Sequence, residues 1–159
     1  MNIVAPYDQT AVTALIAARV DMPGALLPIL HAVQDLVGYI PPELIPEIAG
    51  QLNLSRAEVH GVVTYYHHFR QHPVGRHVVQ ICRAEACQSR GSHALVLHAQ
   101  AALGCGFHET SADGEFTLEP AYCLGQCAVA PSMMIDEVLV GRASPAKFDR
   151  LIAARRDTV

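Results

Sequence analysis

The chain carries little charge and almost no lysine. Only 16% of its 159 residues are charged, and Lys147 is the one lysine among eleven basic side chains. No Lys/Arg run occurs, and fifteen acidic residues leave a formal charge of −4. Nucleic-acid binding through a basic stripe is therefore not expected. Long apolar runs are missing too. Ala94–Ala102 is interrupted by His98 and Gln100, and nothing nears the roughly 18 residues that a membrane-spanning helix needs. No membrane insertion is expected. Met1–Pro6 has no basic stretch followed by an apolar one, so no secretory signal is expected either. There is no C-x-x-C redox pair, no phosphate-loop pattern and no internal repeat. Gly104-Cys105-Gly106 follows a helical segment and lacks a third glycine, so it is not a dinucleotide fingerprint.

What is present is enough for a core. Hydrophobic residues make up 51% of the chain and the mean hydropathy is +0.23. That composition excludes a largely disordered chain, and the length suits one domain or two small ones.

The first half reads as a helical bundle over residues 1–72. Asp8 or Thr10 can cap a helix with Val12, Leu15, Ile16 and Val20 inward. Leu26, Ile29, Leu30, Val33 and Leu36 form a second apolar face, closed by Gly38. Pro41 and Pro42 open a third helix over Leu44, Ile45, Ile48 and Leu52. Ser55-Arg56-Ala57-Glu58 is a capping box for a fourth, which carries Val59, Val62, Val63 and Tyr66 inward. Gln71–Gly75 reads as a linker.

From residue 76 to 159 the period changes. His77–Cys82 is a β-branched strand, and a helix is expected from near Ser89 to Leu103. Ala112–Glu115 is a turn, and Phe116–Tyr122 is a strand weakened near Pro120. Met133–Asp136 and Val138–Val140 are short strands, and Ser144-Pro145 starts a last helix with Phe148, Leu151 and Ile152 inward. The expected fold class is α/β, with the helical bundle followed along the chain by a domain built on a four-stranded mixed sheet.

Five cysteines are the informative excess: Cys82, Cys87, Cys105, Cys123 and Cys127. In a reducing compartment, clustered thiols read as metal ligands or redox groups. Cys82/Cys87 is a C-x4-C pair at the end of the first strand. Cys123/Cys127 is a C-x3-C pair just after the second long strand. A strand–helix–strand unit makes parallel neighbours, so both pairs arrive at one sheet edge, where open α/β sheets place ligands. Two metal chemistries fit. Four thiolates can hold one structural zinc, or two irons bridged by sulfides. Zinc ribbons favour tighter C-x2-C knuckles, and the longer loops here leave room for a binuclear centre. Thiols without metal are the third reading. A helix N-terminus near Ser89, Arg83 and Arg90 beside the first pair, and an N–H made accessible by Gly125 all suit an anionic centre. Solvated surface charge is the plainer reading of the arginines.

Gly38-Tyr39-Ile40-Pro41, Thr64-Tyr65-Tyr66, Cys82/Cys87, Asp113-Gly114, and Cys123-Leu124-Gly125-Gln126-Cys127 with Ala130-Pro131 together resemble the thioredoxin-like [2Fe–2S] ferredoxin family. The likeness runs from about Asp21 to Arg155. Asp21–Gln34, Asn53–His60, His67–Arg70, Cys82–Ser89 and Leu103–Thr110 look most like the gamma subunit of NAD-dependent formate dehydrogenases. The resemblance implies a thioredoxin-like C-terminal domain with one [2Fe–2S] cluster on Cys82, Cys87, Cys123 and Cys127. It implies an electron-transfer role without a catalytic site on this chain. The implied partners are an NAD-binding FMN/iron–sulfur subunit and a molybdenum-containing catalytic subunit, in the cytoplasm. The equivalent subunit of an NAD-reducing hydrogenase or of respiratory complex I is the alternative, and a zinc-stabilised interaction module a further one.

Other candidates receive plainer readings. Cys105 is expected to pack, His60, His67 and His68 to serve core or subunit contacts, and Tyr65, Tyr66 and Phe69 to pack rather than relay electrons. The helical half is expected to cover the second half and to dock the flavin subunit.

Overall fold

The computed structural model describes residues 7–157. Met1–Pro6, where no secretory signal is expected, lie outside the described residues. The chain divides into two compact units, one ending at Pro73 and one starting at Val74.

The first unit is helical. α1 (Gln9–Ala17) starts where the Asp8 carboxylate accepts from the N–H groups of Thr10 and Ala11. α2 (Leu26–Val37) ends at Gly38, which takes a left-handed conformation. A 3-10 turn over Pro42–Leu44 leads into α3 (Ile45–Gln51). α4 (Arg56–Tyr65) opens with the full Ser55/Glu58 capping box. Val12, Ile16, Ile29, Leu30, Ile48 and Val59 are all fully buried in one core. Burial of each such side chain stabilises by about 1.5–3 kcal/mol before entropy is counted.

Two expected inward residues are outside. Leu36 is 51% exposed and Tyr66 43%. Gln34 takes the neighbouring buried position on α2 instead. Its side chain donates to the His68 carbonyl at 2.9 Å and accepts from the Arg70 N–H at 2.8 Å. This two-way clasp fixes the chain after α4, which leaves the helix at Tyr65. His67 and His68 therefore do not share a helix face with His60; the His68 ring lies 5.0 Å from that of His31.

The second unit is a five-stranded mixed sheet with helices, in the order β2-β3-β1-β4-β5. β1 is His77–Cys82, β2 Glu109–Thr110, β3 Phe116–Ala121, β4 Met133–Ile135 and β5 Val138–Val140. β1 runs parallel to β3, with Cys82 opposite Ala121. β4 is antiparallel to β1 and β5 to β4. The expected four strands become five because Glu109-Thr110 pairs with Leu118 and Thr117. Both β2 residues are exposed and polar, so no burial pattern announces the strand.

The expected Ser89–Leu103 helix is two helices. α5 (Glu85–Ser89) holds Cys87, and α6 (Ser92–Leu103) starts after Gly91, whose φ of 89° breaks the helical path. α7 (Pro145–Arg156) has Ser144 as its cap and Pro145 at its start. Phe116, Leu118, Val79, Ile81, Met133 and Phe148 form the fully buried heart of this unit. Among the described residues no helix is long and apolar enough to cross a membrane.

Candidate metal centre

Parallel pairing of β1 and β3 brings their C-terminal ends to one sheet edge. Cys82 closes β1, and Cys123 stands two residues beyond the end of β3. Cys87 follows on α5, and Cys127 opens a 3-10 turn, Cys127–Val129. Cys82 and Cys87 are each 1% exposed, while Cys123 and Cys127 face solvent. The site thus has a buried pair and an exposed pair.

The Cys123 and Cys127 sulfurs are 3.9 Å apart. A tetrahedral metal with bonds of about 2.3 Å holds two sulfurs about 3.8 Å apart, so this spacing suits two ligands of one ion. Cys82 and Cys87 are also within hydrogen-bonding reach of each other. Among the described residues no three His, Cys, Asp or Glu side chains converge closely enough for one metal ion. The sulfurs fall into two pairs, a donor set that two sulfide-bridged irons use with two thiolates each.

The protein surrounds these sulfurs with donors. Burial pushes the Cys82 thiol up, but bonds from the Ala84 N–H, Cys87, the Leu124 N–H and Ser132 outweigh it and hold the thiol below its usual value. Leu124 lies in the other cysteine loop, so the two loops are tied at this sulfur. Ser132 is fully buried, its Oγ 3.5 Å from Sγ of Cys87. Gly125, at a φ of 72°, turns its N–H toward Sγ of Cys123 at 3.4 Å. Cys123 itself has a φ of 127°, a region L residues avoid, at a cost of about 1–3 kcal/mol. On the exposed side, the adjacent Cys123 sulfur pushes the Cys127 thiol up, through hydrogen bonding first and then charge; burial, Cys87 and Cys82 add to it. Cysteine binds metal as the thiolate, and bound cations would relieve the repulsion from neighbouring sulfurs that holds the Cys127 thiol up. The residues present therefore fit the centre.

Other residues singled out from the sequence find their places. Arg83 lays its guanidinium over the Phe107 ring, 5.2 Å from the centroid. α6 begins past Gly91, so its N-terminus does not follow directly on Cys87. Cys105 is buried in the core of the second unit, with its thiol pushed up chiefly by burial. Tyr65 is 76% exposed, so of its two expected roles, core or interface packing, it lacks the core one. Ser132 and Leu124 were not singled out from the sequence. The available signal was a serine between Pro131 and a strand, and any residue inside a C-x3-C loop.

The sequence profile described as thioredoxin-like [2Fe–2S] ferredoxin matches residues 12–156. The chain belongs to this family. Its cofactor is a [2Fe–2S] cluster. A subunit of the NADH-quinone oxidoreductase of Pseudomonas aeruginosa is 37% identical over 134 residues, covering 84% of this chain and 81% of that protein. NADP-reducing hydrogenase subunit HndA of Solidesulfovibrio fructosivorans is 30% identical, covering 82% and 76%. The crystal structure of an NAD+-reducing [NiFe]-hydrogenase in the H2-reduced state matches with a TM-score of 0.71 at 22% identity. That match covers 84% of this chain but only 22% of the longer one, and it shows the shared fold.

Proposed function

We propose that this ferredoxin-family chain is a one-electron carrier in a cytoplasmic, NAD-linked, multisubunit oxidoreductase. Cys82, Cys87, Cys123 and Cys127 would hold the cluster. When bound, a [2Fe–2S] centre takes up and gives back one electron at a time. The rest of the work belongs to the protein. Ala84, Leu124, Gly125 and Ser132 direct N–H and O–H groups at the sulfurs, which favours the more negative, reduced charge state. Burial of Cys82 and Cys87 keeps water from one side. The observation that carries the proposal is the exposure of Cys123 and Cys127. It leaves the other side open to a neighbouring redox group on a partner chain.

That partner is an FMN/iron–sulfur subunit that binds NAD. Within this class, the likeness at Cys82–Ser89, Leu103–Thr110 and His67–Arg70 supports a formate dehydrogenase gamma subunit, in a complex with a molybdenum-containing catalytic subunit. The NADH-quinone oxidoreductase and HndA relatives support the alternative, a complex I or hydrogenase subunit.

Purification of the native complex separates these readings. Molybdenum, FMN and formate-driven NAD+ reduction are expected. Nickel with hydrogen-driven reduction, or quinone reduction by NADH, would move the chain to the alternative. A zinc-bound chain without redox partners would overturn the proposal.

A further inference from the structure

A cavity of about 490 Å³ opens beside Cys127, with Arg90 and Arg142 on its walls. It is assembled from three stretches of chain. Arg90 follows α5, and its N–H donates to the Cys87 carbonyl at 3.2 Å. Cys127–Pro131 forms the floor, and the segment after β5 forms the far wall. That wall is locked to the cysteine loop: the Arg142 N–H donates to the Val129 carbonyl at 2.6 Å and the Ala143 N–H to the Pro131 carbonyl at 2.8 Å. Gly141 presses so closely on Val129 that a Cβ would lie 2.4 Å from its Cγ2. The Lys147 ammonium holds the Gly141 carbonyl at 2.8 Å. Arg142 is kept there at a φ of 50°, which its side chain does not favour.

Both guanidiniums are exposed, and among the described residues neither is in an ion pair. Three other arginines of this unit are in ion pairs, Arg76 with Glu115, Arg155 with Asp136 and Arg156 with Asp113, while Arg83 lies over the Phe107 ring and Arg150 has no ion pair among the described residues. Two unmatched cations on one cavity call for an anion. The backbone narrows its kind. The N–H groups of Val129, Ala130, Arg142 and Ala143 are already donated to carbonyls, and Pro131 has none. Only the N–H groups of Cys127 and Ala128, at the start of the 3-10 turn, are not so donated, fewer than the run of successive amides that cradles a phosphate. The main donors are two planar guanidiniums over a small apolar floor of Ala128, Val129 and Pro131. That suits a carboxylate carried on methylene groups, as in a protein side chain.

We propose that the Arg90/Arg142 cavity receives an Asp or Glu side chain of the flavin-bearing partner subunit, seating that subunit against the exposed Cys123/Cys127 side. The proposal rests on the function proposed above. It adds the place of contact and the chemistry of the contacting group. Its consequence is a complex whose affinity falls with salt.

The test uses the cluster-loaded full chain and the partner subunit. Arg90→Glu/Arg142→Glu and the milder Arg90→Gln/Arg142→Gln are checked first for wild-type iron content and visible spectrum. The charge-reversed pair is expected to weaken association at least about 30-fold and to flatten its salt dependence. In Arg142→Lys, a zero-length carbodiimide cross-link is expected to join the introduced amine to an Asp or Glu of the partner. If wild type binds and the spectrally intact variants bind equally well, the cavity is not the contact, while the function proposal stands. A cross-link only to other positions also rules the cavity out. If wild type binds no flavin subunit, both proposals fall.

Discussion

The Gly125 N–H points at Sγ of Cys123 across 3.4 Å, from a backbone φ of 72° that a side chain would resist. No atom stands within 4 Å of where a Cβ would go. The glycine is needed for its conformation and not for space. Gly125→Ala is expected to cost about 1 kcal/mol of stability by backbone strain alone. It should also speed iron loss to a chelator. Thermal melts and release kinetics check this, and a variant equal to wild type in both would contradict it.

Ser132 offers a cleaner probe of cluster tuning. Its hydroxyl is fully buried and reaches both Cys87 and Cys82. Ser132→Ala removes a donor that stabilises added negative charge, so the midpoint potential should fall. A tenfold loss of preference for the reduced state corresponds to about 60 mV for one electron. A redox titration followed by electron paramagnetic resonance reads the shift. Iron content should stay at the wild-type level.

Cys105 should behave as core, not as a ligand. It is 8% exposed and packed in the second unit's cluster. Alkylation of the folded apo chain should label the exposed Cys123 and Cys127 quickly and Cys105 only on unfolding. Cys105→Ala should retain full iron content and lose about 1 kcal/mol of stability, whereas Cys123→Ser should lose the cluster.

Acid should weaken both units through identifiable carboxylates. Backbone and side-chain bonds from Ser55 hold Glu58 below its usual value. Ser111, the Glu115 N–H and Arg156 do the same for Asp113, the Ser111 bond first. A depressed carboxylate binds fewer protons folded than unfolded. Its stabilisation is therefore present above the ordinary value of about 4 and is lost as pH falls through the lower folded value. Asp113→Asn should flatten part of the acid limb in urea titrations between about pH 5 and 2. An unchanged limb would contradict this.

Much of the architecture was legible in the sequence because it rests on local chemistry. His77–Cys82 and Val138–Val140 match their expected limits, and the Ser55 and Ser144 caps start their helices as read. The parallel pairing of β1 and β3 followed from one crossover and brought both cysteine loops to one edge. What was missed depends on residues far apart in sequence. β2 exists only because Thr110 and Glu109 find Thr117 and Leu118. Leu36 keeps helical spacing yet faces out, because Gln34 is needed inward to clasp His68 and Arg70. Ser132, just before β4, and Arg142, just after β5, come to the cysteine edge through tertiary pairing, which no local pattern reveals.

The central claim is that two cysteine pairs enclose one diiron cluster. Chemical analysis of the anaerobically purified chain, with Mössbauer spectroscopy, tests it most directly. About two irons and two sulfides per chain are expected, each iron with four sulfur ligands. Cys82→Ser, Cys87→Ser, Cys123→Ser and Cys127→Ser should each lose or alter that signature. A single zinc with no sulfide, or an unaltered spectrum after any one of those four substitutions, would contradict the account.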